Sequence, residues 1–303
     1  MSAPPRATSN PRLPYALADL RRPRMPGGEL LVHVVVNIEV WPFDQPMPRG
    51  LLPAPHGVQA VPDVPNFSWV EYGMRAGLPR ILRLCAELGI TAGASLNAAV
   101  LNSYPGVGEA LTEAGWEIIG HGWIQRGLTA DDEREVAARS LDHIEKVTGR
   151  RPSGWLGPGL KETMDTPDVL ARAGITHLFD WTVEDLPLWM ATTEGPILAV
   201  PYSLELNDSV VYAVERHATG ELERRVRASL EVFGREIEHE ARLITVGLHP
   251  HLAGVPHRVD ELRRILESLA AAPGSRFVTG SEIDEWYRTA HPPVTGDAVA
   301  ASD

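Results

Sequence analysis

Leu30-Leu31-Val32-His33-Val34-Val35-Val36-Asn37-Ile38-Glu39 is the stretch that decides the fold. An almost unbroken apolar run without polar alternation suits a strand covered on both faces, the mark of a parallel sheet, and this one stops on a carboxylate. The pattern recurs downstream. Leu243-Ile244-Thr245-Val246-Gly247-Leu248 runs into His249-Pro250-His251, a shorter strand ends at Gly120-His121-Gly122, and another ends at Asp180-Trp181. Parallel α/β proteins keep their chemistry at the C-terminal ends of their strands, so ionisable side chains at each of these ends read as an enzyme.

Between the strands the apolar residues follow a helical period. Helices are predicted over Pro79 to Leu88, Val107 to Ala114, Ala130 to Val147, Pro167 to Ala173, Gly220 to Glu240 and Val259 to Ala271. Further strands are predicted near 91–95, 117–121, 153–156, 176–180, 197–202, 243–249 and 276–279. Thr129 is expected to cap one helix, Pro167 suits a first helical position, and Gly89, Gly115 and Gly174 follow helix ends. Strand and helix alternate about seven times, which allows a barrel or an open doubly wound sheet. No G-x-G-x-x-G follows the first strand and no G-x-x-x-x-G-K-[ST] occurs. A carboxylate stands where phosphate binding would need glycine and free amides. The expectation is therefore an α/β protein with a distorted (β/α)7-type barrel.

Composition bounds the rest. At 303 residues and 44% hydrophobic content the chain suits one large domain, expected over 29–290. Residues 1–28, rich in Pro and Arg, read as an N-terminal arm that wraps a neighbour or stays mobile, and 291–303 as a flexible tail. The proline-rich stretch 42–68 is expected to be an irregular loop roofing the site. A formal charge of −12 argues against nucleic acid or an anionic membrane as partner. The single cysteine, Cys85, reads as a small buried core residue. No apolar signal core opens the sequence and no apolar run of about eighteen residues occurs, so a cytoplasmic protein with a small-molecule substrate is expected.

Six ordered motifs together resemble the polysaccharide deacetylase superfamily. They are Asn37-Ile38-Glu39, His121-Gly122, Gly154-Trp155-Leu156-Gly157-Pro158-Gly159, Asp180-Trp181 with Asp185-Leu186-Pro187, Pro201-Tyr202 with Asn207-Asp208, and Leu248-His249-Pro250. The sequence is most similar to the cytoplasmic branch that includes cofactor-independent allantoinases and cyclic imide hydrolases, and Pro65-Asn66-Phe67-Ser68-Trp69-Val70-Glu71-Tyr72-Gly73 looks like that branch too. The resemblance implies hydrolysis of a non-peptide C–N bond in a small amide, ureide or cyclic imide. It also implies assembly as a homo-oligomer, expected to be a tetramer.

Departures from the wider superfamily bear on the cofactor. Metal-dependent members carry two adjacent aspartates at the first motif and His-x-x-x-His at the second, where this sequence has Glu39-Val40 and His121 with Gln125. Val40 offers no donor atom and Gln125 only a neutral amide, so no cofactor is expected; a divalent metal such as Zn would have to use Glu39 and His121. Glu39 is expected to be the general base, its pKa raised toward neutrality by partial burial. His249 is expected to protonate the leaving nitrogen, and His121, set between glycines that leave room for a ligand, to bind the developing oxyanion. The resemblance assigns Asp180 to orient the acid histidine. Trp69, Trp155, Trp181, Asp185, Asn207 and Asp208 are candidate substrate contacts. Two rival readings remain, a metal-dependent N-deacetylase of an acylated sugar or amine, and an inactive ligand-binding pseudoenzyme.

Overall fold

β1 (Leu30–Ile38) is buried at all nine of its positions, as an apolar run without alternation requires. The computed structural model describes residues 12–13, 25, 27–53 and 60–293; most of the expected arm and tail, with residues 54–59, lies outside them. The further strands are β2 (Gly93–Leu96), β3 (Glu117–Gly120), β4 (Gly154–Trp155), β5 (His177–Leu178), β6 (Leu188–Met190), β7 (Ile197–Ala199), β8 (Arg242–Leu248) and β9 (Ser275–Phe277). They form one sheet in the order β6-β7-β5-β4-β3-β2-β1-β8, with β9 also paired to β1. Among the described residues every pair is parallel except β6 with β7.

The sheet curls into the expected distorted barrel. Between β7 and β8 the gap is spanned by a bridge from Asn207 to Gly247 and by Thr245 Oγ1 donating to the Pro201 carbonyl at 2.9 Å. The helices are α1 (Val64–Tyr72), α2 (Leu78–Leu88), α3 (Val100–Ser103), α4 (Val107–Glu113), α5 (Glu133–Thr148), α6 (Thr166–Arg172), α7 (Glu221–Glu236), α8 (Pro250–Ala253), α9 (Pro256–Ala271) and α10 (Gly280–Ala290). On α2, Leu78, Ile81, Leu84 and Cys85 recur at helical spacing and are all buried, and Gly89 ends the helix at φ +65°. Burial pushes the Cys85 thiol up to about 12, which suits a packing residue and not a nucleophile.

Alternation along β1 sorts its side chains. Leu30, Val32, Val34, Val36 and Ile38 join the cluster that includes Ile81 and Leu84 of α2 and Leu262 and Ile265 of α9, whereas Leu31 and Val35 join Phe179, Leu198 and Leu243 inside the barrel. Asn37 and Glu39 continue the inner series. Register then sets their height: Ile38 pairs with Leu96, Leu96 with Gly120, and Val36 with Leu248. The residues that leave these strands, Glu39, Asn97, His121 and His249, therefore gather at one rim.

Several elements differ from the expected pattern. β6 is a three-residue antiparallel edge strand, too short to show a period. α1 forms inside the proline-rich stretch because Asp63 accepts from the Asn66 amide and a proline occupies its first turn. α10 carries a capping box, Thr279 with Glu282. α5 begins at Glu133, since Thr129 donates to Asp132 instead of capping. Within the expected arm, Arg12 pairs with Asp168 at 2.5 Å, Leu13 and Met25 are buried, and Met25 N–H donates to Glu240. These residues dock on their own chain.

A π-helical turn, Gly73–Gly77, links α1 to α2 and packs against α8. A Cβ at Gly77 would press on the Pro250 carbonyl, and one at Gly73 on the His251 backbone. Gly77→Ala is therefore expected to cost about 1–3 kcal/mol through overpacking. A thermal unfolding midpoint equal to that of the unsubstituted protein would show that α8 tolerates displacement.

Candidate active site

Glu39 is almost completely buried, yet it borders a cavity of about 610 Å³ that reaches the surface. Its Oε2 accepts the Trp41 indole N–H at 2.6 Å. Oε1 faces two imidazoles, with His121 Nε2 at 3.7 Å and His249 Nε2 at 3.6 Å. Asn97 ties the strand ends together, accepting the Val40 N–H at 2.9 Å and donating to the His121 carbonyl.

Each imidazole is fixed through its far nitrogen. His249 Nδ1 lies 2.7 Å from Asp208 Oδ1, while Asp208 Oδ2 accepts the His249 backbone N–H at 2.7 Å. Asp208 is fully buried. His121 Nδ1 lies 2.5 Å from the Leu156 carbonyl, so that nitrogen carries a proton, and Nε2 is left facing Glu39.

Charge follows from this packing. Burial by itself would lower the His249 pKa, but the Asp208 and Glu39 carboxylates outweigh it and raise it to about 10. Burial would likewise raise Glu39, but the His121 and His249 imidazoles that face it, together with the charge of His249, hold it well below the usual carboxylate range. The expected shift of Glu39 toward neutrality is thus reversed: two imidazole neighbours outweigh desolvation. His251 is lowered to about 3 by burial and by the His249 charge. Its ring meets those of His249 and Trp41 edge-on.

Asp180 does not orient the acid histidine. Its two oxygens accept the Gly157 N–H at 2.8 and 3.0 Å, and burial together with neighbouring Glu162 pushes its pKa well above the usual value. It holds the Gly157–Lys161 turn that walls the cavity. The carboxylate beside His249 is Asp208, which therefore supports the imidazole from behind and does not line the cavity. Asn207 does line it. Trp155 lies buried in the core, Trp181 donates to Glu162, Asp185 is exposed away from the cavity, and Trp69 donates to the His251 carbonyl, bracing α8. The glycines around His121 make room for protein and not for a ligand: a Cβ at Gly120 would strike Trp155, and one at Gly122 would crowd Pro158.

Sequence reasoning missed two further residues here. Asn97 ends a strand as Glu39 and His121 do, and that position was its signal. Tyr202 Oη accepts from Asn37 Nδ2 at 2.8 Å and Asn207 Nδ2 at 3.0 Å, which leaves its own proton available toward the cavity it lines. Nothing in its local sequence marks that role.

The residues present do not fit the metal site of the wider superfamily. Val40 packs against the apolar core, Gln125 presents an amide, and His121 is committed to Leu156 and turned to Glu39. Among the described residues no group of three His, Cys, Asp or Glu side chains is arranged to hold a metal ion.

The curled parallel sheet thus carries a carboxylate and two imidazoles together at its C-terminal rim. The polysaccharide deacetylase family model matches residues 68–178. In structure it is similar to PuuE allantoinase at 25% identity and a TM-score of 0.79, over 91% of this chain and 96% of that one. It is also similar to a Pseudomonas aeruginosa PAO1 protein at 25% identity and a TM-score of 0.76, over 87% and 92% of the two chains. A Schizosaccharomyces pombe protein is 27% identical over 80% of this chain and 82% of its own length. Both of these last two carry the polysaccharide deacetylase name in provisional form. No helix among the described residues is long and apolar enough to cross a membrane.

Proposed function

We propose that the protein hydrolyses a non-peptide C–N bond in a small amide, ureide or cyclic imide, without a metal ion. The observation that carries this reading is Glu39 Oε1 set 3.6–3.7 Å from two imidazole Nε2 atoms at the cavity. An amide nitrogen leaves poorly as an anion and must be protonated as the bond breaks. Glu39, held ionised, takes a proton from water as the water oxygen bonds to the carbonyl carbon. His249, held protonated by Asp208 and Glu39, gives its Nε2 proton to the leaving nitrogen as the C–N bond breaks, and Glu39 then returns a proton to His249.

His121 takes a different part from the one expected. With Nδ1–H on Leu156, its Nε2 stands beside Glu39 Oε1, where it orients the attacking water. The carbonyl oxygen meets the Tyr202 hydroxyl, whose donor proton is left over after two amides have bonded its oxygen. A second reading, a metal-dependent N-deacetylase, is favoured by the family match and the deacetylase names of the relatives. It lacks ligands at Val40 and Gln125.

A panel of ureides, cyclic imides, N-acyl amines and N-acetyl sugars, assayed for released amine, ammonia or acid, separates the two. Turnover is expected with a ureide or cyclic imide. Turnover confined to N-acetyl sugars would favour the deacetylase, and none at all would remove both.

A further inference from the structure

The cavity does not share the charge of the chain. The protein carries a formal −12, but Glu39 is the sole carboxylate among the cavity-lining residues, while Arg49, Arg126 and Lys161 all border it. Arg126 is engaged by Asp132 at 2.5 Å. For Arg49 and Lys161 no carboxylate partner occurs among the described residues. Deeper in, the Glu39 and Asp208 carboxylates face one His249 cation, so the two unpaired cations at the mouth leave one positive charge in excess.

Neither cation is placed at random. Arg49 comes from the loop after β1 and one arm of its guanidinium donates to Ser209 Oγ, which is itself buried beside Asp208. The other N–H groups of the fork remain for a ligand, and the charge is near enough to help keep His251 neutral. Lys161 lays its aliphatic stem over Gly127, where a Cβ would displace it, and it too borders the cavity. In an acidic protein such a mouth attracts an anion that the rest of the surface repels. A guanidinium fork also matches the two oxygens of a carboxylate better than a point charge does.

We propose that the substrate bears a carboxylate beside its scissile C–N bond, received at the cavity mouth by Arg49 together with Lys161. The scissile bond rests on the hydrolase reading above, whereas the anion site is tested by binding alone. The probes are N-carbamoylglycine, N-carbamoyl-β-alanine and N-carbamoyl-γ-aminobutyrate, each paired with its neutral carboxamide, titrated calorimetrically into the full chain. At least one carboxylate is expected to bind about tenfold more tightly than its carboxamide, as charged hydrogen bonds of this kind allow. The preference should shrink as salt is raised. Arg49→Gln should bring the ratio close to one, and Lys161→Gln should reduce it. Equal binding of the two members, binding of neither at millimolar concentration, or a ratio that survives both substitutions would overturn the proposal. A carboxylate preference without cleavage of any probe would keep the anion site and leave the hydrolase reading to the panel above; cleavage without preference would keep the hydrolase reading and remove the anion site.

Discussion

Replacing Glu39 with glutamine is expected to lower turnover at least about a hundredfold while the protein stays folded. Glutamine keeps the shape and an oxygen for the Trp41 indole N–H, which lies 2.6 Å away, so packing around the site survives. What disappears is the anion. No other carboxylate lines the cavity, so no other anion there can accept the proton of the attacking water in its place. His249 also loses one of the two carboxylates that raise its pKa, and its protonated fraction falls at high pH. The checks are kcat on whichever panel substrate turns over, and a thermal melt to show that the fold persists. A folded variant with near-normal kcat would remove Glu39 from the chemistry.

Asp208→Asn is expected to cut kcat by roughly a hundredfold to ten-thousandfold, the range seen when a buried carboxylate behind an acid–base histidine is neutralised. The amide can still accept the His249 backbone N–H, so the local fold has a partner. The pH profile should separate electrostatics from simple loss of structure. His249 acts in its protonated form and its pKa is raised to about 10, so the alkaline limb lies near there and should move down toward the ordinary imidazole range in the variant. Stability carries the same sign. A raised imidazole pKa contributes stability that is complete below its ordinary value of 6.5 and is lost as pH rises toward about 10. The unsubstituted protein should therefore lose more melting temperature across that window than Asp208→Asn does. The acid limb, set by Glu39, should fall below the usual carboxylate range, because its pKa is depressed. An alkaline limb unmoved by Asp208→Asn would assign it to another group.

Much of this fold was legible because β1 and β8 are long apolar runs that need no partner to be recognised, and Glu39, His121 and His249 stand where those runs and β3 stop. The same logic would have found Asn97. Electrostatics was not legible in that way. The sign of the Glu39 shift depends on two imidazoles brought in from positions 121 and 249 by strand register, and a sequence shows burial more readily than convergence. Asp208 and Asp180 illustrate the difficulty: both are carboxylates in loops beyond strands, and only the bridge of Asn207 to Gly247 decides which of them reaches His249. Tyr202 keeps its own proton free because Asn37 and Asn207 donate to its oxygen through the same closure. The pairing of Gly120 with the Trp155 ring is likewise a tertiary contact, and glycine at a strand end reads equally well as space for a ligand.

The central claim is that Glu39 and His249 divide base and acid between them with no metal ion. The most direct measurement is turnover of the best panel substrate by protein dialysed against EDTA and then assayed with and without added Zn²⁺ or Co²⁺. Unchanged kcat after chelation is expected, with no gain on adding metal. Inactivity after chelation, restored by either ion, would contradict the claim and reassign Glu39 and His121 as metal ligands.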